Sequence, residues 1–588
     1  MSHPVQALEE LVRAAVVQAF GPEHAGADPA VHRSQFADFQ ADVALRLARA
    51  VKRPPLEVAK LLAEKLDVSA FCEEVKASPP GFLNFTLRRD YVESALGRAA
   101  RDSRAGVPLV ENPETVVVDY SAPNVAKEMH VGHLRATVVG DAIVRLLAFA
   151  GHRVIRQNHI GDWGTPFGML IEHLIDRGSE GDAAALDIGE LKEFYQQARK
   201  KFDSDPAFAE RSRQRVVSLQ GGDAQSLELW NVLVGASRRY FRTVYEKFGA
   251  LLVDDDVRGE SFYNPYLDDV VRELETKGLA RVDDGAVCVF LSEFKGREGE
   301  PLPLIVRKKD GGYGYAATDL AALRFRVKEL GANRVVYAVG APQQQHFAMV
   351  FATAKLAGWL DAARAEHVPF GAILGSDRKM FRTRSGETPR FIDLLDEAVE
   401  RADAAVREKN PDLPPELRAV VAEQVGVGAL KYADLSTERM KDYVFDWTRM
   451  LSFEGNTGPY LQYAHARISS ILRRAADEGV ALAAELAAGR VPDALALRIE
   501  EPAERALALE LLELRTAVAS SLAGLQPHRL CTYLYELASR FTAFYEACPV
   551  LRAPTPEQRD SRLLLAASTR RSLALGLHLL GMAAPERM

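Results

Sequence analysis

The sequence predicts a multidomain protein that combines α/β and all-α parts. Three observations support this fold class. The chain has 588 residues, too many for a single hydrophobic core. Its centre alternates short β-branched runs with helical patterns, as expected of a Rossmann-like parallel sheet. Beyond residue 410 the pattern is almost wholly helical.

Residues 1–110 are predicted to form an appended N-terminal α/β domain. A helix is expected near residues 5–20, a second near residues 41–50, and an extended segment, PPGFLNFTL, at residues 79–87.

Residues 111–395 are predicted to form the Rossmann-like domain. The run TVVVDY (115–120) reads as a strand, the segment from residue 134 as a helix, and HRVIRQNHIG as the next strand, which completes a right-handed βαβ unit. RVVYAVG (334–340), a helix and HVPFGAIL (367–374) restore the same alternation. Strand, loop and helix in this order are typical of nucleotide sites.

Two insertions are expected in this domain, and a separate domain after it. Residues from about 176 to 247 read as helical, and Asp-Gly pairs at 284–285 and 310–311 predict hairpins within an insertion at about 262–312. Residues 396–588, most of which follow the break NPDLPP (410–415), are predicted to form a helical bundle.

Composition excludes several classes of protein. No apolar run approaches the roughly 20 residues that cross a bilayer, so neither export nor membrane insertion is expected. The four cysteines contain no C-x-x-C pair, which argues against a disulfide framework or a thiolate zinc site and favours the cytoplasm: Cys72, Cys288, Cys531 and Cys548. A net charge of -7 argues against indiscriminate nucleic-acid binding but permits a local RNA-binding face.

The segment SAPNVAKEMHVGHLR (121–135) joins a predicted strand to a predicted helix. Backbone N–H groups and the helix dipole attract phosphate at such a junction. His130 and His133 lie three residues apart, so both imidazoles can face a phosphate, and Gly132 lets a flat base approach the backbone. A chance pair of capping histidines is the alternative for the bare pattern; a metal site would need a third ligand, which the nearby sequence does not offer.

The segment GSDRKMFRTRSGE (375–387) is a basic loop directly after the last predicted strand. Arg378, Lys379, Arg382 and Arg384 cannot all be buried without partners, so they face solvent or an anion. Alone, a solvated loop would be the better interpretation. Together with the histidine motif, a mobile clamp on a triphosphate is favoured.

H-V-G-H and K-M-F-R-T resemble the H-I-G-H and K-M-S-K-S signatures of class I aminoacyl-tRNA synthetases. The arginyl-tRNA synthetases are the most similar branch, on segments spread over nearly the whole chain: SAPNVAKEMHVGHLRATVVGD, NHIGDWGTPFG, YAATDLAALRFR, FRTRSGE, GNTGPYLQYAHARI and APERM.

The resemblance implies ATP as a substrate, accompanied by Mg2+ that bridges phosphate oxygens with few protein ligands. It places these residues at ATP: His130, Gly132, His133, Lys379 and Met380. Arg382 stands where the second lysine of K-M-S-K-S is expected, and Lys127, just before the histidine motif, is implied to supply the missing charge. Without the resemblance, Lys127 is equally well explained as a solvent-facing loop lysine.

A pocket that selects arginine needs carboxylates and amide oxygens arranged to match a planar guanidinium. The resemblance assigns Asp319 and Glu260 to the guanidinium, Tyr315 and Gln343 to the rest of the substrate, and Asn124 to its neighbourhood. The alternatives are a charge favoured at a helix N-terminus for Asp319, a buried phenol for Tyr315 and an exposed amide for Gln343.

The C-terminal domain interleaves aromatic and basic residues, a combination that can stack RNA bases and contact phosphates. Core packing explains most of these rings. The resemblance suggests Tyr460 and Tyr463 near an anticodon, and Phe36, Asp38 and Gln40 as weak tRNA contacts in the N-terminal domain.

The resulting hypothesis is an arginine–tRNA ligase that forms arginyl-adenylate and then esterifies the terminal ribose of tRNA(Arg), with a tRNA-dependent first step. Positioning and charge stabilisation should dominate, so no protein nucleophile is expected. A monomer is expected, with no DNA or membrane partner. Three alternatives stay open: a glutaminyl- or lysyl-type synthetase, a small-molecule nucleotidyltransferase, and a non-catalytic RNA-binding paralogue.

Overall fold

The structure, a computed structural model, describes residues 4–34, 36–178, 188–296, 299–382 and 388–588. The backbone forms two compact units. The first comprises residues 1–107, 468–516 and 536–572, and the second residues 108–467, 517–535 and 573–588.

The N-terminal part of the first unit is an antiparallel sheet, in the order β1-β2-β4-β3, with packed helices. Its elements are α1 (Pro4–Phe20), β1 (Val31–Arg33), β2 (Phe39–Ala41), α2 (Val43–Leu47), α3 (Pro55–Lys65), β3 (Cys72–Ser78), β4 (Phe82–Leu87) and α4 (Arg89–Arg101). The helix predicted at 41–50 is shorter than expected because Ala41 pairs with Leu83 in the sheet.

The second unit is built on a parallel sheet in the order β11-β10-β5-β6. Its strands are β5 (Thr115–Asp119), β6 (Arg153–Gln157), β10 (Arg334–Tyr337) and β11 (Arg364–His367). Val116, Val117 and Val118 of β5 are fully buried, as expected for a central strand covered on both faces. The predicted Rossmann-like sheet is confirmed.

Helix α5 (Val131–Ala150) follows β5 and is buried along most of its length. Gly140 allows close packing on the strand, since a Cβ there would lie 2.3 Å from the Cβ of Tyr120. The helix ends at Gly151, whose φ of 102° is the left-handed conformation that favours glycine.

Helices and strands occupy the two segments that are expected to be insertions. α6 (Thr165–Arg177) precedes the first segment, which contains α7 (Ile188–Ser204), α8 (Pro206–Gln220) and α9 (Ala224–Phe248). The second segment contains α10 (Asn264–Thr276), β7 (Ala280–Asp283), β8 (Ala286–Lys295) and β9 (Pro301–Arg307). Asp284 and Gly285, with φ of 44° and 81°, form the expected hairpin turn. At 310–311 no second strand follows: Arg307 bridges Tyr313, and α11 (Tyr315–Lys328) begins at once.

After β10 and α12 (Gln344–Leu356), the strand predicted at 367–374 is split into β11 and β12 (Ile373–Leu374). Pro369 lies in the gap, where it cannot donate a ladder hydrogen bond. β12 instead pairs in parallel with β13 (Tyr443–Val444).

Apart from β13, the elements in the rest of the described chain are helices, as predicted. Its helices are α13 (Phe391–Lys409), α14 (Pro415–Leu435), α15 (Trp447–Met450), α16 (Gly458–Asp477), α17 (Ala481–Ala487), α18 (Pro502–Leu512), α19 (Leu514–Ala523), α20 (His528–Ala547) and α21 (Pro556–Leu579).

Candidate active site

The loop after β5 is fixed in a strained conformation. Ser121 and Ala122 have φ of 73° and 47°, which is uncommon for residues with a side chain. The Ser121 hydroxyl lies 2.8 Å from the Tyr245 hydroxyl, and the Ala122 N–H donates to the Asn158 side chain at 3.0 Å. Strain held in place in this way is typical of functional loops.

Asn124 is exposed on this loop. The loop pairs with the segment after β6, where the Val125 N–H donates to the Gly161 carbonyl at 2.9 Å and the Gly161 N–H to the Pro123 carbonyl at 3.0 Å. A Cβ at residue 161 would lie 2.2 Å from Oδ1 of Asn124. Gly161 therefore provides the space that the Asn124 side-chain amide occupies.

His130 and His133 cap the start of α5. Nδ1 of His130 accepts from the Gly132 N–H, and Nδ1 of His133 accepts from the His130 N–H, each at 3.0 Å. The ring centroids are 4.1 Å apart. Because each Nδ1 accepts, the proton of each neutral ring is assigned to Nε2, which makes both Nε2–H groups available as donors.

Burial and a neighbouring positive or ionisable group lower the pKa of each ring and so favour its neutral form. Burial, followed by the neighbouring His130, lowers the pKa of His133 to about 3. Burial and then the charge of Lys127 lower the pKa of His130. Gly132 permits this arrangement, since a Cβ there would lie 2.8 Å from Cε1 of His130. The pair therefore offers neutral N–H donors.

Lys127 lies beside the histidines, as its effect on the His130 pKa indicates. It is exposed, and its Nζ is 5.3 Å from the ring centroid of Tyr195 in α7. This cation–π contact stabilises the position of the Lys127 ammonium, which keeps its positive charge.

The clamp loop, residues 375–382, leaves β12 and turns back on itself. The Gly375 N–H donates to the Lys379 carbonyl at 2.8 Å, and the Lys379 N–H to the Asp377 carboxylate at 3.0 Å. Arg378, Lys379 and Arg382 are exposed, as predicted, and Met380 is exposed with them. Arg384, the fourth basic residue of the prediction, lies outside the described residues.

The histidine motif and the chain that follows the clamp loop are joined directly. The Val131 N–H donates to the Pro389 carbonyl at 3.0 Å, and the Phe391 N–H to the Met129 carbonyl at 2.8 Å. The Arg390 guanidinium donates to Glu128 at 3.0 Å. The start of the histidine motif is thus hydrogen-bonded to residues 389–391, which follow the clamp loop in the sequence.

A cluster of carboxylates forms the second part of the site. Burial, then the charges of Asp162 and Asp319, raise the pKa of Glu260 to about 8. Asp162 accepts from the Ser261 N–H at 2.8 Å and from the Ser261 hydroxyl at 2.7 Å. Glycine at 259 is required, because a Cβ there would lie 2.2 Å from Oδ2 of Asp162. The cluster is arranged to receive a cation.

Asp319 lies on the first turns of α11 and has one oxygen engaged. Its Oδ2 is 2.6 Å from Nε2 of His346 in α12. Oδ1 remains available to a second donor, which suits one arm of a guanidinium.

Tyr315 and Gln343 are exposed at the starts of their helices. Tyr315 is 77% exposed, so the buried-phenol interpretation is wrong for it. Neither side chain makes a hydrogen bond among the residues that the structure describes. Both are free to meet a substrate.

Arg326 fixes α11 to the sheet. Its guanidinium is fully buried and donates to Asp119 of β5 at 2.8 Å and to Gln157 of β6 at 2.6 Å. It also lies 5.0 Å from the ring centroid of Tyr337 in β10. The ends of three strands thereby position the helix that carries Tyr315 and Asp319.

The three tRNA candidates of the first unit differ in accessibility. Phe36 is 85% exposed. Asp38 is buried, accepts from the Leu87 N–H at 2.7 Å and pairs with Arg505 at 2.6 Å. Gln40 is buried and donates to Asp42 at 2.9 Å. Only Phe36 presents its side chain to solvent.

Tyr460 and Tyr463 at the start of α16 are half-buried. The Tyr460 ring lies 5.8 Å from that of Tyr535, and the Tyr463 ring lies 6.1 Å from that of Phe453 and 5.1 Å from Nζ of Lys409. Each ring therefore packs against neighbouring side chains, and part of its surface stays exposed to solvent.

Sequence reasoning missed Asp162 and His346. Asp162 directly follows the predicted strand HRVIRQNHIG. A carboxylate just beyond a strand end of a parallel sheet is a candidate site residue, so the sequence could have indicated it. His346 follows Gln343 by one helical turn, but its partner Asp319 is 27 residues away in sequence, and no local pattern reveals that pairing.

Among the described residues, no group of three or more His, Cys, Asp or Glu side chains could hold a metal ion. In the same part of the chain, no helix combines the length and apolarity needed to span a membrane. The four cysteines are all buried and free.

A parallel sheet with a capped H-x-G-H motif on its first helix and a basic loop after its last strands defines the class I aminoacyl-tRNA synthetase catalytic fold. Three family descriptions match the chain: "tRNA synthetases class I (R), catalytic domain" at 98–447, "DALR anticodon binding domain" at 461–588 and "Arginyl tRNA synthetase N terminal domain" at 6–87.

The chain is 54% identical to the arginine–tRNA ligase of Thermobifida fusca, with all of both chains covered. It superposes on the crystal structure of arginyl-tRNA synthetase from Plasmodium falciparum with a TM-score of 0.86, and on that of Thermus thermophilus with a TM-score of 0.80, each at 29% identity with full coverage of both chains. The chain therefore belongs to the arginyl-tRNA synthetase family.

Proposed function

We propose that the chain activates L-arginine with ATP at the site formed by the histidine motif, the clamp loop and the carboxylate cluster, and then transfers it to tRNA(Arg). The observation that supports this assignment is that Asp162 and Asp319 lie near enough to Glu260 for their charges to raise its pKa, because a group of carboxylates suits a guanidinium. A glutaminyl-type pocket has no use for such a pair.

In the first step an oxygen of the arginine carboxylate attacks the α-phosphorus of ATP. A new P–O bond forms, the bond to the bridging oxygen breaks, and pyrophosphate leaves. The Nε2–H groups of His130 and His133 donate to the phosphate oxygens on which charge increases. The exposed Asn124, Tyr315 and Gln343 orient the α-amino and carboxylate groups of the substrate.

The leaving pyrophosphate is stabilised by cations of the clamp loop. Lys379 and Arg382 supply this charge together with Lys127, and Gly132 and Met380 lie against the nucleotide. Mg2+ would be held mainly by the phosphates, because it retains several waters and takes few protein ligands.

In the second step the terminal ribose hydroxyl of tRNA attacks the activated carbonyl, and AMP leaves. No protein nucleophile takes part. Residues 1–110 contact tRNA through Phe36, with Asp38 and Gln40 supporting that surface from within, residues 111–395 perform the chemistry, and residues 396–588 read the anticodon loop near Tyr460 and Tyr463. The first step requires bound tRNA, and the protein acts as a cytoplasmic monomer.

Exchange of labelled pyrophosphate into ATP tests the proposal. The protein is assayed with each amino acid, with and without tRNA. Exchange with arginine alone among the amino acids, and only when tRNA is present, is expected. Exchange with another amino acid would overturn the pocket assignment, and tRNA-independent exchange would overturn the requirement for tRNA.

A further inference from the structure

The bridging segment, residues 439–445, connects α14 to α15 and pairs with the strand that enters the clamp loop. Tyr443 aligns with Ile373, and Val444 with Leu374. The Phe445 N–H donates to the Leu374 carbonyl at 2.8 Å. The backbone that supports the clamp loop is therefore held by residues that lie 70 positions later in the chain.

Phe445 continues this pairing into the clamp loop itself. Its ring is stacked on the ring of Phe381, with centroids 4.4 Å apart and planes 14° from parallel. Phe381 lies between Lys379 and Arg382, and both cations line a concavity to which Phe445 also contributes. The Trp447 ring packs edge-on against Phe445 at 4.8 Å, so the stack is supported from its far side.

The bridging segment is in turn fixed to α5, the helix that begins with the histidine motif. Arg135 of α5 is 1% exposed and pairs with Asp434 at 3.0 Å. The same guanidinium donates to the carbonyls of Arg439 and Lys441 at 3.3 Å and 3.2 Å. It also lies 5.3 Å from the ring centroid of Tyr443.

These contacts form a continuous connection from α5, through Arg135 and the bridging segment, to the Phe445–Phe381 stack. Its two ends carry the two groups of residues assigned to ATP. Neither Arg135 nor Phe445 supplies a donor, an acceptor or a charge to the chemistry described above.

We propose that Phe445 is a positioning residue that acts through Phe381 to hold Lys379 and Arg382 in register with the histidine motif, so that it sets the affinity for ATP. This inference rests on the proposed assignment of Lys379 to the ATP phosphates. Arg135 sets the position of the bridging segment from which Phe445 projects.

A positioning role predicts a selective effect. Stacked aromatic pairs contribute an amount that corresponds to roughly 2- to 12-fold in an equilibrium constant. Phe445→Leu keeps an apolar side chain of similar volume but removes the ring. The KM for ATP should rise by roughly 2- to 12-fold, whereas the KM for arginine should stay unchanged, because the carboxylate cluster does not contact the stack.

The test is a double-mutant cycle on the full-length protein, with aminoacylation of tRNA as the assay. Phe445→Leu, Phe381→Leu and the double variant are compared for KM of ATP, KM of arginine, kcat and Tm. If Phe445 acts through Phe381, the double variant raises the KM for ATP no further than the stronger single variant.

Phe541→Leu is the matched control, since Phe541 is a buried aromatic residue of α20 whose ring lies 5.9 Å from that of Phe544. It should lower Tm without changing the KM for ATP. Additive effects, an unchanged KM for ATP, or a parallel loss in every parameter would overturn the proposal. Failure of the proposed function would be distinguished by absence of arginylation in the unsubstituted protein.

Discussion

The protonation of Glu260 predicts that arginine binding depends on pH. Burial and the charges of Asp162 and Asp319 raise the Glu260 pKa to about 8 in the arginine-free pocket, so this carboxyl is mostly protonated at pH 7. A guanidinium requires the ionised form. Removing the proton at pH 7 costs about 1.4 kcal/mol, because one pKa unit corresponds to that free energy. The KM for arginine should therefore fall about tenfold from pH 7 to pH 9.

The assay is aminoacylation at saturating ATP and tRNA, with the KM for arginine measured at intervals from pH 7 to pH 9. Glu260→Gln should have a higher KM and lose this pH dependence, and any slope that it retains belongs to other groups. A flat profile for the unsubstituted protein, or the same slope in Glu260→Gln, would refute the reasoning.

Thermal unfolding provides an independent readout of the same group. The folded-state pKa of Glu260 is about 8, above the ordinary value of 4.5, so this group lowers the stability of the arginine-free protein progressively as pH rises from about 4.5 to about 8. Arginine offsets that loss by pairing with the carboxylate. It should raise Tm more at pH 9 than at pH 7.

Three further predictions concern other residues. His133→Ala should reduce pyrophosphate exchange by roughly 10²- to 10³-fold, because it removes a donor to the reacting phosphate, while circular dichroism shows the fold intact. Asp319→Asn should raise the KM for arginine by roughly 10- to 150-fold with little effect on the KM for ATP, since a charged hydrogen bond is lost; equal rises in both would contradict its place in the pocket. Asp38→Ala should lower the free energy of unfolding in urea by about 3 kcal/mol, because it removes the carboxylate partner of the largely buried Arg505 guanidinium, whereas Phe36→Ala should leave stability unchanged and raise only the KM for tRNA.

Local patterns predicted the framework of the site well. The β-branched run of β5 and the helical pattern that follows the histidines are short-range signals, and the parallel sheet follows from their alternation. The positions of His130 and His133 at a helix start followed from the same reasoning. Segments of this kind depend little on distant residues.

Features that depend on distant contacts were not predictable from the sequence. The chain breaks at Pro369, and the short strand beyond it pairs with Tyr443 and Val444 rather than extending β11. Asp38 lies next to exposed Phe36 in sequence, yet its carboxylate turns inward to Arg505, 467 residues away. Pattern reasoning cannot identify such a partner.

Each histidine of the H-x-G-H motif divides its two nitrogens between two tasks. Nδ1 completes the first turn of α5, which leaves Nε2 as the N–H donor of each ring. Substitution by any residue without two such nitrogens therefore loosens the helix start and removes a donor at the same moment. An asparagine could still accept from the backbone as a cap, but its shorter amide would not extend as far toward a phosphate. At either histidine, a single substitution therefore changes both the capping of α5 and the hydrogen-bond donor offered to the phosphate.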